Sequence, residues 1–440
     1  MMLSKRATGI IRGVFVACLI LAQLLSAPGA APKETVSGLE DRSLTVWYTD
    51  PQMQPYMEAA AQAFTADYWV PVKAELVSEV DYIETIFQRS TQEVPSGPDL
   101  YVASSELLEK AALAGVVTEL DQSELEQCYS KKAVQAVSYK GQPVARPFYI
   151  ETCFLLYNRY YVEEVPQTID EILAYAESFE ADEVTSRVES IFEWNVADVI
   201  DDYLFLGAYM ELGGPSGDDR TRVSMDLEKA SQCMQYYQNL NSYFAIDADT
   251  VSSEGIIQDF IQGRTVFTIV NVPMLAQVDR AVAQGDIPEY ATEKKVVNEA
   301  GEEETIPLDF QPFYGVARLP ALTEELDTRG VSVTASIVVN PYSANRDLAM
   351  SCARYLGADR AHRLYQETGK LPACTDLEEP LDEAQQMVYQ AYEQAAEVPK
   401  IMELSNTWLH LESVLAEIWR GGDIGEQLEG FLELIQEQLR

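Results

Sequence analysis

Apolar and polar positions alternate along the first third of the chain in two rhythms, one of period two and one of three to four. Leu44-Thr-Val-Trp-Tyr48 is a β-branched and aromatic run closed by Asp50-Pro51, which predicts a first strand. From Met53 to Asp67 the apolar residues Met53, Tyr56, Met57, Ala60, Ala63 and Phe64 recur at three and four, the spacing of an amphipathic helix, with Pro55 tolerable in its first turn. Val70 to Val77 then predicts a strand, Tyr82 to Gln92 a helix and Leu100 to Ala103 a strand. Such alternation predicts right-handed βαβ units and a largely parallel sheet covered by helices.

Beyond residue 150 the pattern turns richer in helix. Helices are predicted at Ile169–Phe179, Ala197–Leu212, Leu227–Asn239 and Ser253–Gln262, with Thr168 and Ser253 as N-caps and Gly213-Gly214-Pro215 as a stop. Glu293 to Leu308 reads as a hairpin with Asn298-Glu-Ala-Gly301 at its tip, its run Glu302–Glu304 a solvated edge. A strand returns at Ser336–Asn340, and a long helix starts near Ile424 and closes the chain.

Composition changes this picture in three ways. First, the 440 residues carry a formal charge of -40, from 31 Lys+Arg against 71 Asp+Glu. So acidic a surface repels phosphate backbones and anionic headgroups, which argues against nucleic-acid binding and charge-driven membrane binding. Second, residues 1–31 read as a signal peptide or N-terminal anchor: Lys5, Arg6 and Arg12 precede an apolar stretch from Val14 to Leu25 and the small residues Ser26 to Ala31. The chain is therefore expected to be exported, and without this stretch its charge is -43. Cys18, after Phe15-Val-Ala17, has some likeness to a lipoprotein processing site, although its sequel Leu-Ile-Leu-Ala continues the apolar run. Third, the five cysteines that remain, Cys128, Cys153, Cys233, Cys352 and Cys374, are too sparse for a disulfide framework and read as small buried hydrophobes. One bridge, Cys352 to Cys374 for instance, is left open.

Signatures of enzymes and cofactor sites are missing: no HExxH, GxGxxG, GxxxxGK[ST] or GxSxG occurs, and with only His362 and His410 a multi-histidine metal site is ruled out. No cofactor and no metal are expected. The informative residues stand just after predicted strands, where open α/β sheets place their ligand crevice. Asp50 follows the first strand, Glu106 the strand from Leu100, and Glu151 closes a strand Pro147–Ile150. Carboxylates there can bond ligand hydroxyls, while Trp194, Tyr203 and Trp408 offer faces for the apolar side of a sugar ring.

Several stretches, in order, resemble the extracellular solute-binding proteins of family 1, which deliver sugars to ABC importers: Leu44–Tyr48, Gly97–Tyr101, Leu113–Asp121, Leu156–Arg159 with Pro166–Asp170, Asp259–Thr265, Val338–Ser343 and Thr368–Ala373. The resemblance spans about residues 42–435. It implies a two-lobed α/β fold of the periplasmic-binding-protein-like type II class, with a hinge and a ligand cleft between the lobes. Lobe one would be 42–149 plus 337–373 and lobe two 151–333 plus 374–440, with crossings near Tyr149–Glu151, Val333–Ser336 and Ala373–Thr375. Ligand contacts would fall on Asp50, Glu106, Glu151, Asp201, Tyr203 and Trp408. Two departures weaken an oligosaccharide reading: Asn271-Val-Pro-Met274 stands where relatives often have an aromatic, with Asn271 itself a candidate contact, and Ala103 stands where they can have tryptophan. The implied partners are a small solute, with sugar the leading class, and a membrane permease, with the binder a monomer. A cationic solute, an exported interaction protein of the same fold and a glycosidase are the alternatives.

Overall fold

The computed structural model describes residues 42–181, 185–285, 293–297, 303–307, 313–377 and 380–440. The expected export segment at 1–31, Cys18 within it and the hairpin tip at 298–302 lie outside the described residues. The hairpin arms Glu293–Val297 and Glu303–Pro307 pair antiparallel, as the sequence pattern predicts.

The first βαβ units form as expected. Strand β1 (Leu44–Tyr48) leads into helix α1 (Gln54–Tyr68), β2 (Val72–Leu76), α2 (Tyr82–Ser90) and β3 (Leu100–Ser104), and β1 pairs in parallel with both β2 and β3. Tyr56, Met57, Ala60 and Phe64 bury the inner face of α1 in a cluster with Leu44, Val46 and Tyr48. Helices α3 (Leu108–Leu113) and α4 (Lys131–Ala136) follow.

Then comes β4 (Arg146–Asn158), 13 residues with only Glu151 and Tyr157 part-exposed. The sequence pattern ends this strand at Ile150; instead Glu151 sits mid-strand, because a strand covered on both faces has no alternation to mark its continuation. Next come α5 (Ile169–Ser178), β5 (Ser190–Glu193) and α6 (Val199–Asp202), then α7 (Leu227–Phe244), α8 (Ser253–Ile261), β6 (Thr265–Asn271) and α9 (Val272–Gln284). Thr168 caps α5, as predicted, and does so in a full capping box with Glu171. The cap of α8 is Ser252 rather than Ser253. The single helix predicted over 197–212 is broken into α6, a 3-10 turn at Tyr203–Phe205 and a short strand Met210–Leu212. Gly207 explains the break: a Cβ there would run into the carbonyl of Arg329 and the ring of Tyr203, so the chain turns where backbone meets backbone.

The remaining elements are β7 (Tyr314–Ala317), β8 (Val331–Val339), α10 (Arg346–Arg354), β9 (Leu371–Pro372), α11 (Glu383–Gln394), β10 (Ala396–Glu397), α12 (Thr407–Trp419) and α13 (Ile424–Gln438). The sheet order is β2-β1-β3-β8-β4-β6-β5, with β7 and β9 also on β4 and β10 on β8. The sheet is mixed, not largely parallel: β8 is antiparallel to β3 and β4, and β6 is antiparallel to β4. Strand β4 changes partner along its length, from β8 over Arg146–Thr152 to β6 over Cys153–Tyr157. It thus belongs to two halves, one packed around α1 and α10, the other around α7, α12 and α13.

The disulfide is Cys128–Cys374, with Cα atoms 5.3 Å apart, and not Cys352–Cys374. Cys352 lies on α10 in the core, and Cys153, Cys233 and Cys352 are free and buried, as the pattern predicts. Among the described residues no helix is long and apolar enough to cross a membrane.

Candidate functional site

Side chains two apart on a strand share a face, and residues opposed across a ladder share it too. Tyr149, Glu151 and Cys153 therefore face one way on β4, together with Ala335 and Val333 of β8, Ser104 of β3 and Asn271 of β6, each opposed in register. This face carries the candidate site.

Its centre is an ion triad. The ammonium of Lys370 donates to Glu151 at 2.8 Å and pairs with Asp50 at 3.2 Å, and it stands 5.3 Å over the ring of Tyr149. Asp50 is held by its own turn, where it accepts the N–H of Gln52 at 2.8 Å. The Lys370 side chain is 11% exposed, Glu151 22% and Asp50 28%, so the triad is sheltered yet reachable by water. Burial raises the Glu151 carboxyl above its usual range even though Lys370 opposes it. For Lys370 burial disfavours the charge, but Glu151 and Asp50 outweigh it and the ammonium is held more firmly than usual. Glu106 accepts the hydroxyl of Ser104 at 3.0 Å. It is exposed to water while walled by protein, the situation of a cleft residue; burial raises its carboxyl, Ser104 opposes this and Glu79 adds to it.

Asp201, on α6, is 1% exposed, and neither of its carboxylate oxygens has a hydrogen-bond partner among the described residues. Burial, with Asp198 and Asp202 adding, pushes its carboxyl well up. It lies beside Cys153, whose thiol is raised by burial and then by Asp201. Asp50, Glu106 and Glu151, singled out by their place along the strands, thus lie on one side of the sheet, and Asp201, named by the resemblance, lies beside Cys153 of the same face. Asn271 shares that side by its register, where it caps α9 by accepting the N–H of Met274 at 3.2 Å.

The aromatic candidates divide. Trp408, at the start of α12, is half-buried and edge-on to Tyr203 with ring centres 5.5 Å apart. Tyr203 is 1% exposed and packed in the core, and burial pushes its hydroxyl up to about 12. Trp194 offers no face to a ligand: it is fully enclosed, donates to Asp202 at 2.8 Å, and packs at tilted and edge-on angles against Phe192, Phe205 and Trp419. An aromatic in a short segment reads the same in core and cleft, so its sequence carried no signal to separate them. Lys370, Tyr149 and Glu79 escaped the sequence analysis as site residues. Lys370 had a signal, a lone lysine between Gly369 and the apolar Leu371-Pro-Ala373.

A cavity of about 320 Å³ near the disulfide, lined by Glu124, Arg146, Arg354, Asp359 and His362 among others, shares no residue with this face. Among the described residues no cluster of His, Cys, Asp and Glu could hold a metal ion.

Two half-domains sharing long strands, with a carboxylate-lined face where strand β4 changes partner, define the two-lobed class of binding protein. The chain belongs to the bacterial extracellular solute-binding proteins, whose family model matches residues 59–387. It is 23% identical over 357 residues to a maltotriose-binding protein of Pyrococcus abyssi, covering 78% of this chain and 70% of that one. To a galactooligosaccharide-binding protein of Bacillus subtilis it is 22% identical over 445 residues, with 97% of each covered. Its fold resembles that of an extracellular solute-binding protein from Staphylococcus aureus solved in complex with maltose, at a TM-score of 0.70 and 17% identity, covering 90% of this chain and 97% of the other.

Proposed function

We propose that the protein is the extracytoplasmic substrate-binding component of an ABC importer and encloses a neutral carbohydrate between two lobes. The lobes are 42–149 plus 337–373 and 151–333 plus 374–440, hinged at Tyr149–Glu151, Val333–Ser336 and Ala373–Thr375. The observation that carries the reading is the row Asp50–Lys370–Glu151, with Asp201, whose carboxyl has no hydrogen-bond partner among the described residues, next to Cys153 on the same face. Such a row supplies several oriented donors and acceptors at close range, which suits a molecule with many hydroxyls. The half-buried ring of Trp408 covers an apolar sugar face. Sugars named for the two relatives, maltotriose and galactooligosaccharide, favour the same class.

A charge of -43 beyond the export segment favours neutral ligands over phosphates and carboxylates. The excess of carboxylates over Lys370 among the described residues of this face favours, as the second reading, a cationic solute. The protein binds and releases without catalysis, acts as an exported monomer, and hands its ligand to a membrane permease. Trp408→Ala tests the site: the affinity for a bound oligosaccharide falls by about 1–3 kcal/mol. Unchanged affinity in a calorimetric titration removes Trp408 from the site.

A further inference from the structure

A polar seam joins elements that these boundaries place in different lobes. Glu109, on α3, is fully buried, and its carboxylate accepts both Nη1 and Nη2 of Arg220 at 2.8 and 3.1 Å and the backbone N–H of Met402 at 2.7 Å. Arg220 also donates to Glu403 at 2.6 Å. Nearby, Asp218 accepts the N–H of Lys140 at 2.7 Å, and Ser105 donates to Glu397 at 2.6 Å. Lys400, 1% exposed, donates to the carbonyls of Gln135 at 3.1 Å, Ser138 at 3.0 Å and Ser216. Residues 105–140 thus grip the segments 216–220 and 397–403.

Glu109 stands apart within this seam. The bonds it accepts come from Arg220 and Met402 of the opposite lobe, and Met402 is the first residue of the 3-10 turn Met402–Leu404, two residues ahead of α12 and Trp408. We propose that Glu109 and Arg220 form a closure latch, a pair of positioning residues that set the Trp408 ring in place and govern how long a ligand stays enclosed. The proposal rests on the two-lobed carbohydrate reading. A bidentate, charge-assisted pair is geometrically demanding, so it forms only when the lobes are in register. Arg220 is already 38% exposed, so opening chiefly leaves the enclosed Glu109 carboxylate without its partners, and the pair weights the equilibrium toward the closed state by its differential energy in the two states. Such an interaction acts on escape of the ligand and leaves its encounter with the open cleft nearly untouched.

The test uses the full mature chain with spin labels at Glu58→Cys and Glu228→Cys, both exposed and one in each proposed lobe; the native free cysteines are buried and leave the labelling to these two. Arg220→Ala adds a second, longer distance to the wild-type distribution, Arg220→Lys gives an intermediate one, and Arg420→Ala, whose pair with Asp249 lies within lobe two, matches wild type. With maltotriose as probe, Arg220→Ala raises the dissociation rate by about 10–100-fold and changes the association rate by less than about threefold. Label distances in Arg220→Ala that coincide with wild type overturn the latch, and so does an unchanged dissociation rate. If the distances shift while neither protein binds maltotriose or any other neutral sugar, the latch stands and the carbohydrate reading falls.

Discussion

Lys370 is one positive charge among carboxylates, and its neighbours define what its removal does. It holds Glu151 at 2.8 Å and Asp50 at 3.2 Å in a sheltered place, so Lys370→Met leaves two carboxylates facing each other without their counter-ion. Breaking a sheltered pair from one side is expected to cost about 2–4 kcal/mol at neutral pH. The pH dependence follows from Glu151. Its carboxyl is raised in the folded protein above the ordinary value of 4.5, so the folded state holds its proton longer than the unfolded one. Stability from this group is therefore full at acid pH and is lost as pH rises from about 4.5 through the raised folded value. Without Lys370 the carboxyl rises further and the loss extends to higher pH. Urea unfolding midpoints should then separate variant from wild type little near pH 4 and widely near pH 7. A gap equal at both pH values would contradict the ion triad. The sequence pointed to both carboxylates by their position after strands; the lysine between them arrives from residue 370, a separation that no local pattern encodes.

At the scale of elements, patterns were legible where one face of an element meets water and the other meets the core. Helix α1 and the capping box at Thr168 are of that kind. Legibility failed where elements are covered all round: β4 ran on past Ile150 because its burial hides the period of two, and the segment at 197–212 bends where Gly207 meets other backbone. Gly207→Ala tests that explanation. The added methyl has rigid neighbours, the Arg329 carbonyl and the Tyr203 ring, so about 3 kcal/mol of stability is expected to be lost, as in other overpacked cores. Because Tyr203 touches Trp408 edge-on, near-ultraviolet dichroism of the aromatics should change as well. A fully stable Gly207→Ala protein with an unchanged spectrum would show that the bend has another cause.

For the whole molecule, one mixed sheet runs through the two-lobed fold, with β4 pairing β8 over its first part and β6 over its second. Order of short motifs along the chain made the family legible. The Cys128–Cys374 bridge was not, since its 246-residue separation gives no local clue to the pairing. Net acidity bears on the proposed ligand as much as on the surface: on that reading, a face with Asp50 and Glu151 on Lys370 and with Glu106 and Asp201 on the same side disfavours anions and suits hydroxyls. The most direct measurement is a titration of the mature protein, followed by tryptophan fluorescence, against maltotriose, galactooligosaccharides, polyamines and small anions. A neutral oligosaccharide should give a saturable change that added salt leaves in place. Saturable binding of anions or polyamines alone, with no response to any neutral sugar, would contradict the account.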